Sequence, residues 1–381
     1  MKTAVIGVGN MGHKYAAMIY EGQIPGCELA AITRVRGVYR ERLEKALAAG
    51  LPVFDSADLL FEAVENGSLK LDAVIIATPH YSHEALAVRA FQNGLHVLCE
   101  KPSGVYTRQG RLMEEAAAAS GKTFGMIFHQ RTFPVYRKLR EIVQSGVYGK
   151  IKRVSWVVSD WYRPDSYYAS GSWRATWAKD GGGVLLNQCP HNIDLMQWIL
   201  GVPACVQAFC HEGRYHPIEV EDDVTMYLEW DNGATGTFIT STGEAPGLNR
   251  LEISLEDALI RCENGTLLIG ETANELGMPE PEYRRTSENQ FAKIKGTWKE
   301  MKCDTEEDPY GIILRNFTAA CAGKEECIAP GFEGRKSLMI SNAAYLSSWK
   351  KQQIELPKIN SPEEKEFEAL FEAMLEEKAK A

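Results

Sequence analysis

A glycine-rich turn between an apolar run and a helix-like segment constrains the fold more than any other feature of the chain. Gly7-Val-Gly9-Asn-Met-Gly12 directly follows Thr3-Ala-Val-Ile6 and opens a segment with helical spacing. In this context the three glycines permit a tight turn, close approach of backbone to a pyrophosphate, and close packing of helix on strand. Backbone N–H groups at the start of the helix then bind the anion. The sequence therefore predicts a dinucleotide-binding βαβ unit; the alternative is a glycine-rich turn without ligand.

Short apolar runs alternate with helix-like segments through about the first 125 residues. The apolar runs are 3–6, 28–32, 73–77, 96–98 and 123–127. The helix-like segments are 12–22, 39–49, 56–66, 83–94 and 107–121. This alternation predicts a parallel, doubly wound α/β sheet with right-handed crossovers.

The second half of the chain has longer strands with alternating polarity, which predict an open, largely antiparallel sheet. These strands are 151–159, 205–211, 224–230, 234–241 and 251–255, and helices are predicted at 134–145, 184–200, 310–322 and 333–350. The end of the chain is a charged helix or tail whose apolar stripe is Phe367, Leu370, Phe371 and Met374. The predicted organisation is a nucleotide-binding domain at 1–125, an α/β substrate and oligomerisation domain at 126–357, and the charged segment at 358–381.

Composition excludes several classes of partner. The formal net charge of -9 repels a nucleic-acid backbone. No apolar run approaches the ~20 residues that cross a bilayer, and glycines interrupt the only run that resembles a secretion signal. Nine cysteines without a Cys-x-x-Cys pair indicate reduced thiols and a cytoplasmic protein. His80 and His83 lack further ligands at zinc spacing, so we expect no metal site.

The residue after the second strand bears on the choice of cofactor. An acidic residue there would bind the ribose hydroxyls of NAD, but the chain has Thr33, followed by Arg34 and Arg36. A hydroxyl and guanidinium groups can instead bind a 2′-phosphate. The sequence favours NADP, with NAD or the use of both as the alternative.

A lysine shortly after the predicted strand 96–98 is the first candidate for chemistry. It lies in Cys99-Glu-Lys101-Pro, and ligands of doubly wound sheets bind at the carboxyl ends of the strands, so Lys101 is expected to face the nicotinamide. Further along, Asn187, His191 and Asp194 share one face of a predicted helix.

Together these motifs resemble the Gfo/Idh/MocA oxidoreductases over about residues 1–356. The resemblance rests on Gly7, Gly9 and Gly12, on Ala77-Thr-Pro79 with His83, on Glu100-Lys-Pro102, on Gln130-Arg131, and on Gly181-Gly-Gly183 leading to Asn187 and His191. It implies an N-terminal Rossmann domain and a C-terminal α/β domain whose open sheet joins subunits into a homodimer or homotetramer. It also implies a nicotinamide cofactor and a pyranose, inositol or related polyol substrate.

The resemblance also implies roles for individual residues. Lys101 and His191 match the catalytic lysine and histidine, the histidine as base and the lysine as the cation that stabilises the substrate oxygen. Many family members carry aspartate where this chain has Asn187, which can orient hydroxyl groups but cannot accept a proton. The residues expected at the cofactor are Gly7, Gly9, Asn10, Met11, Gly12, Thr33, Arg34, Thr78, Pro79, His80, His83, Glu100 and Lys101.

An aromatic segment precedes the second glycine-rich stretch. It reads Trp161-Tyr-Arg-Pro-Asp-Ser-Tyr-Tyr168, followed by Trp173-Arg-Ala-Thr-Trp177. Flat rings cover the C–H faces of sugars while arginine and tyrosine reach polar groups, which indicates a carbohydrate pocket. The expected substrate contacts are Tyr162, Arg163, Trp173 and Arg174; the alternative is a lid or interface packed by aromatic rings.

The function predicted first is hydride transfer between NAD or NADP and a secondary hydroxyl or carbonyl of a sugar, inositol or glycoside. The second is a glycosidase that oxidises a sugar transiently with bound cofactor and then eliminates the aglycone. A dinucleotide-binding regulator is disfavoured, because a regulator has no need of Lys101 and His191.

Overall fold

The computed structural model describes residues 1–34 and 37–380 and contains two β-sheets. The first sheet has six parallel strands in the order β3-β2-β1-β4-β5-β6. Its strands are β1 (Lys2–Ile6), β2 (Glu28–Thr33), β3 (Val53–Phe54), β4 (Ala73–Ile76), β5 (His96–Cys99) and β6 (Phe124–Met126). The strand order reverses between β1 and β4, which places a binding crevice at their carboxyl ends. The predicted doubly wound sheet is confirmed, although the two-residue strand β3 is missing from the prediction.

Helices cover both faces of this sheet. They are α1 (Gly12–Tyr20), α2 (Val38–Arg42), α3 (Glu44–Ala48), α4 (Ala57–Glu65), α5 (His83–Gln92) and α6 (Thr107–Ser120). Ile6 and Ile76 pack toward α4, α5 and α6, while Val5 and Ile75 pack toward α1. Burial on both faces explains why these strands are continuously apolar. The single helix predicted at 39–49 is two short helices separated at Leu43.

The second sheet has nine strands in the order β14-β13-β12-β11-β7-β10-β9-β8-β15. They are β7 (Ile151–Val158), β8 (Cys205–Glu212), β9 (Glu221–Glu229), β10 (Thr235–Ser241), β11 (Asn249–Leu255), β12 (Ala258–Glu263), β13 (Thr266–Ala273), β14 (Lys295–Lys302) and β15 (Ile354–Glu355). β7 and β10 pair in parallel, and the other pairs are antiparallel. This confirms the open, largely antiparallel sheet, but the prediction contained only β7 to β11.

The remaining helices surround the second sheet and the junction between the sheets. They are α7 (Pro134–Ser145), α8 (Asp165–Ala169), α9 (Val184–Asn187), α10 (Pro190–Leu200), α11 (Glu280–Thr286), α12 (Pro309–Cys321), α13 (Phe332–Lys350) and α14 (Pro362–Lys378). The helix predicted at 184–200 is interrupted between α9 and α10. Pro190 occupies the first turn of α10, where its missing N–H costs no hydrogen bond. No helix in the described part of the chain is long and apolar enough to span a membrane.

Two helices from late in the chain bear on the predicted domains. α12 packs against the first sheet through Ile313, Leu314 and Phe317, although it belongs to the second predicted domain. α14 is docked rather than solvated, because Phe367, Phe371 and Leu375 are buried. Leu370, which the prediction placed on the docking stripe, is 38% exposed. The proposed boundaries at 125 and 357 therefore describe the order of the chain better than its packing.

A buried ion-pair network fixes α10 against the turn after β6. The guanidinium of Arg131 donates to both carboxylate oxygens of Asp194 at 2.7 and 2.5 Å, and also to Glu333 of α13 at 2.9 Å. Arg131 and Asp194 are both almost fully buried. A bidentate pair of this kind sets orientation as well as distance. Because Asp194 lies three residues after His191, the network also sets the direction in which His191 points.

Candidate functional site

The three glycines of the first turn are required for different structural reasons. Gly7 has a φ of +91°, and a Cβ on it would lie 2.5 Å from the carbonyl oxygen of Ala77. A Cβ on Gly12 would lie 2.1 Å from the carbonyl oxygen of Gly7, whereas a Cβ on Gly9 would meet nothing within 4 Å. Packing therefore requires glycine at the first and third positions. Gly9 borders open space, so the turn fits the close approach of a dinucleotide pyrophosphate.

Thr33 at the end of β2 braces this turn. Its hydroxyl oxygen accepts a hydrogen bond from the backbone N–H of Gly7 at 2.8 Å, and its side chain is buried. Arg34 is exposed, and the guanidinium of Arg42 contacts His13 Nε2 at 2.6 Å. Arg34 therefore lies directly after β2, while Arg42 approaches the glycine turn through His13, whose Nδ1 lies 2.9 Å from the carbonyl oxygen of Gly9. Arg36 lies outside the described residues.

His83 connects two loops at the carboxyl edge of the first sheet. Its ring is fully buried, with Nδ1 2.8 Å from the carbonyl oxygen of Pro102 and Nε2 2.8 Å from that of Thr78. Burial lowers the pKa of His83 to about 4, against the effect of both carbonyl groups. Both ring nitrogens are occupied by protein atoms, so His83 holds the loops together, and the predicted contact with cofactor would have to come from its neighbours Thr78 and Pro79.

His80 reaches across to the second half of the chain. Its Nδ1 lies 2.9 Å from the carbonyl oxygen of Asp180 and 3.2 Å from the carboxylate Oδ1 of the same residue. Its ring meets Trp173 edge-on with centroids 6.2 Å apart. Burial, together with the charge of Lys101, lowers the pKa of His80 to about 3, so its ring is neutral at pH 7. His80 thus contacts Asp180 through Nδ1 and Trp173 of the aromatic segment through its ring, and its contact with the cofactor stays a prediction.

Lys101 extends from the turn after β5 to the end of α9. Its Nζ donates to the carbonyl oxygen of Asn187 at 2.6 Å. Burial lowers the pKa of Lys101, and the neighbouring Glu100 and Asp180 oppose that shift. Glu100 is itself buried, accepts hydrogen bonds from the hydroxyl of Tyr15 and the N–H of Lys101, and has a raised pKa because of burial. Glu100 thus supports the lysine turn from behind.

His191 lies in the first turn of α10, four residues after the carbonyl that binds Lys101. Its ring is buried, and its Nδ1 has no hydrogen-bond partner among the described residues. Burial and the nearby His129 and Lys101 hold its pKa well below the usual value. His191 is therefore neutral at pH 7 and can accept a proton. The two residues chosen for chemistry lie at the same corner of the structure.

His129 is a functional candidate that the sequence analysis missed. Its ring meets that of His191 edge-on with centroids 4.3 Å apart, and its other side stacks on Tyr310 at 4.2 Å. Burial lowers the pKa of His129 to about 3. The available signal was its place directly after β6, at the same sheet edge as Lys101.

Asp180 is the second residue that the sequence analysis missed. Its carboxylate accepts hydrogen bonds from the side-chain amide of Asn187 at 3.2 and 3.3 Å and from the N–H of Ala175 at 3.0 Å. Burial raises the pKa of Asp180 to about 6. The signal was an aspartate immediately before three glycines. Asn187 itself has no carboxylate, but the carboxylate of Asp180 is hydrogen-bonded directly to its side-chain amide.

The aromatic segment contributes only some of its predicted contacts. Arg174 donates to the hydroxyl of Tyr167 at 2.8 Å, and that hydroxyl donates to Asn187 Oδ1 at 3.3 Å. Arg163 lies over the other rings of the segment, and Tyr162 is 52% exposed. Within the described residues the Tyr162 hydroxyl makes no hydrogen bond to this cluster. Tyr167, which was not among the predicted residues, joins Arg174 to Asn187, and the substrate contact of Tyr162 stays a prediction.

Metal ligation has no geometric basis in the described residues. Across 1–34 and 37–380, no three His, Cys, Asp or Glu side chains are grouped as a metal ion would require. His80, His83 and His129 contact carbonyl oxygens or aromatic rings instead.

Comparison with known proteins connects both halves of the chain to one family. Residues 1–128 match a model described as an oxidoreductase family with an NAD-binding Rossmann fold, and residues 136–261 match the GFO/IDH/MocA C-terminal domain. The chain belongs to the GFO/IDH/MocA family. The turn at Gly9, which leaves room for a pyrophosphate, agrees with the NAD-binding character of this family.

Individual relatives match over parts of their length. D-glucoside 3-dehydrogenase of Escherichia coli is 28% identical over 61% of this chain and 62% of its own. scyllo-Inositol 2-dehydrogenase (NAD(+)) of Bacillus subtilis is 25% identical over 62% of this chain and 66% of its own. The chain thus spans less than two thirds of these curated relatives. The WlbA dehydrogenase from Bordetella pertussis, solved with NADH and UDP-GlcNAcA, superposes with a TM-score of 0.75 at 25% identity, covering 94% of this chain and 99% of its own.

Gly9→Ala and Gly12→Ala form a matched pair that tests the cofactor turn. Because an added methyl on Gly9 meets only open space, we expect Gly9→Ala to keep the melting temperature of wild type. The same methyl obstructs the approach of the dinucleotide and weakens its binding by about tenfold, which is ~1.4 kcal/mol. Gly12→Ala instead clashes with backbone and lowers the free energy of unfolding by about 1–3 kcal/mol. Fluorescence titration with NADH and NADPH and urea unfolding measure the two effects. Unchanged dinucleotide affinity in Gly9→Ala would place the ligand elsewhere.

Proposed function

We propose that this protein is an NAD(P)-dependent oxidoreductase that acts on a secondary hydroxyl or carbonyl group of a sugar, inositol or glycoside. One observation carries the proposal. The ammonium of Lys101, from the nucleotide-binding sheet, lies on the carbonyl of Asn187, one turn before the neutral imidazole of His191. Oxidation of a secondary alcohol needs a base that removes the hydroxyl proton and a cation that stabilises the negative charge on the same oxygen. The family and the names of its relatives, which include sugar and inositol dehydrogenases, support this chemistry.

The protein residues have separate tasks in the proposed reaction. The turn of Gly7, Gly9 and Gly12 would hold the pyrophosphate of a nicotinamide cofactor, which would supply the exchange of hydride. His191 accepts the hydroxyl proton during oxidation and returns it during reduction. Lys101 stabilises negative charge that develops on the substrate oxygen. Asn187 orients hydroxyl groups and, as an amide, takes no proton.

The cofactor preference that we propose is NADP. Thr33 stands where an acidic residue would repel a 2′-phosphate, and Arg34 is exposed beside it. The guanidinium of Arg42 contacts His13, and the ring of His13 contacts the carbonyl oxygen of Gly9 in the glycine turn. The Bacillus subtilis relative is named for NAD, and the WlbA dehydrogenase was solved with NADH, so this preference rests on the present sequence alone.

Self-association through the second sheet is also proposed, as a homodimer or homotetramer. The sheet has three large aromatic side chains with high solvent exposure: Phe209 at 58%, Trp298 at 50% and Tyr227 at 40%. Exposed apolar surface of this kind marks interfaces with other proteins. A reducing compartment, the cytoplasm, is proposed from the nine cysteines, which are all unpaired. The glycosidase alternative gains no support from the relatives, because their names describe dehydrogenases.

Lys101→Ala tests the proposed role of the lysine. Turnover should fall about 10²–10³-fold, the effect of removing one donor that stabilises an oxyanion, while dinucleotide affinity is retained. The assay follows the absorbance of reduced cofactor with NAD and NADP across inositols, aldoses, uronates and aryl glycosides. Lys138→Ala on the exposed surface of α7 is the control. A turnover rate of Lys101→Ala near that of wild type would refute the proposed role of Lys101. If wild type turned over no sugar of the panel with either cofactor, the proposed oxidoreductase function would be wrong.

The pH dependence of turnover tests Asp180. Its pKa of about 6 means that the carboxylate is present above this pH and is protonated below it. Protonation weakens the acceptor for the amide of Asn187, so we expect kcat/KM to fall as the pH drops through about 6. His191 is not responsible for this limb, because its pKa is well below the usual value. Asp180→Asn should lower the plateau of kcat/KM and remove the limb. A limb with the same midpoint in Asp180→Asn would assign the titration to another group.

Arg34→Ala tests the preference for NADP. A charge-assisted hydrogen bond contributes about 1.5–3 kcal/mol, so the KM for NADPH should rise about tenfold or more. The KM for NADH should stay within twofold, because NADH has no 2′-phosphate. Arg137→Ala, an exposed arginine on α7, is the control. Equal effects on both cofactors would contradict a phosphate-binding role for Arg34.

A further inference from the structure

We propose that the substrate carries an oxyanion, a carboxylate or a phosphate, and that Arg174 binds it. This inference rests on the function proposed above and deepens it from a polyol to an anionic polyol. It begins from a guanidinium that the protein holds rigidly and leaves without a carboxylate partner.

Two aromatic rings fix the position of Arg174. Its guanidinium carbon lies 4.4 Å from the centroid of Tyr167 and 4.5 Å from that of Trp173. Nη1 donates to the hydroxyl of Tyr167 at 2.8 Å. Arginine has five N–H donors in a planar fork that matches the two oxygens of an oxyanion. A side chain held in this way loses little entropy when it binds such a group.

Most donors of the Arg174 guanidinium are not used by the protein itself. Among the described residues, no carboxylate lies within 4.0 Å of this guanidinium, and the hydroxyl of Tyr167 is its single hydrogen-bond acceptor. By contrast, the buried Arg131 pairs with Asp194, and the buried Arg335 pairs with Glu364. Arg174 therefore has N–H donors left for a ligand.

The electrostatics of this corner favour a negative ligand. The charge of Arg174 lowers the pKa of Lys101 and that of His80, which shows that it acts on the proposed reaction centre. Arg163 lies 4.9 Å from the same Tyr167 ring and adds a second guanidinium. The carboxylate of Asp180, which is hydrogen-bonded to the amide of Asn187, offsets part of this positive charge, because Arg174 and Lys101 both lower its pKa. An anionic group on the substrate would offset the repulsion among these cations.

A short chain of hydrogen bonds connects Arg174 to the reaction centre. The hydroxyl of Tyr167 accepts from Arg174 and from Gln188 Nε2 at 3.2 Å, and it donates to Asn187 Oδ1 at 3.3 Å. The carbonyl oxygen of Asn187 in turn binds Lys101. The proposal places the substrate hydroxyl at Lys101 and its oxyanion at Arg174, which are connected through Tyr167 and Asn187.

Matched pairs of sugars test the inference. D-Glucuronate is compared with D-glucose, D-galacturonate with D-galactose, and D-glucose 6-phosphate supplies the phosphate arm. For at least one anionic sugar, we expect wild-type kcat/KM to exceed that of its neutral partner by about tenfold or more, as a charge-assisted bidentate contact provides. In Arg174→Gln this ratio should fall to about 1. Arg140→Gln, which removes an arginine stacked on Trp198 away from the site, should keep the ratio.

Calorimetry provides a second readout that does not depend on turnover. D-Glucuronate, D-galacturonate and D-glucose 6-phosphate are titrated into wild type, Arg174→Gln and Arg174→Lys, and at least one should bind wild type about tenfold more tightly than either variant. Arg174→Lys keeps the charge and loses the planar fork, so it serves if the glutamine variant unfolds. Preferential binding of the uronates identifies a carboxylate, and preferential binding of the sugar phosphate identifies a phosphate.

The outcomes separate this inference from the proposed function. If neutral sugars are turned over and no anionic sugar has a higher kcat/KM than its neutral partner, the inference of an anionic substrate is wrong, while the proposed oxidoreductase function stands. An anionic preference that survives in both Arg174 variants would overturn the role of Arg174. No turnover with any sugar and either cofactor would overturn the proposed function itself.

Discussion

The hydrogen bond of the partly buried Lys101 ammonium at the junction of the two sheets is the constraint on which the site depends. A buried cation costs several kcal/mol unless it is paired or hydrogen-bonded. Lys101 meets this requirement with the carbonyl oxygen of Asn187, which belongs to the other half of the chain. The same contact brings the turn after β5 to the end of α9, directly before α10. Correct docking of the two halves therefore assembles the lysine and His191 together.

Buried acids behind the site hold the elements that carry these groups. Glu221 accepts hydrogen bonds from the N–H groups of Gly183 and Leu185 and from the hydroxyl of Tyr345, and so fixes the start of α9. Asp194 does the same for α10 through its pair with Arg131. These carboxylates orient backbone and helices and do not contact the open crevice. They hold α9 and α10 in place, so Asn187 and His191 keep fixed positions relative to each other although the helix is interrupted between them.

The parts of this site that the sequence predicts are those that depend on local backbone requirements. Gly7 and Gly12 follow from a turn that tolerates no Cβ, and Lys101 follows from its place at the end of a strand. Asp180 and His129 also carried local signals, before three glycines and after β6, but the sequence does not show what they contact, because their partners Asn187 and His191 are reached only through tertiary packing. The stripe of α14 was placed one position away from Leu375 for the same reason, since its partner surface is formed by distant helices.

The pair formed by Asp180 and Asn187 changes how an acid can act at this site. Where the family commonly has an aspartate, the chain presents an amide, and the carboxylate lies behind that amide at 3.2 Å. The amide N–H is consumed by Asp180, so Oδ1 is the atom that Asn187 can offer toward the tyrosine and the substrate. Ionisation of Asp180 then influences the reaction through the orientation of Asn187 rather than through proton transfer. In the mechanism that we propose, the imidazole of His191 therefore exchanges the proton with the substrate, and the Asp180–Asn187 pair does not.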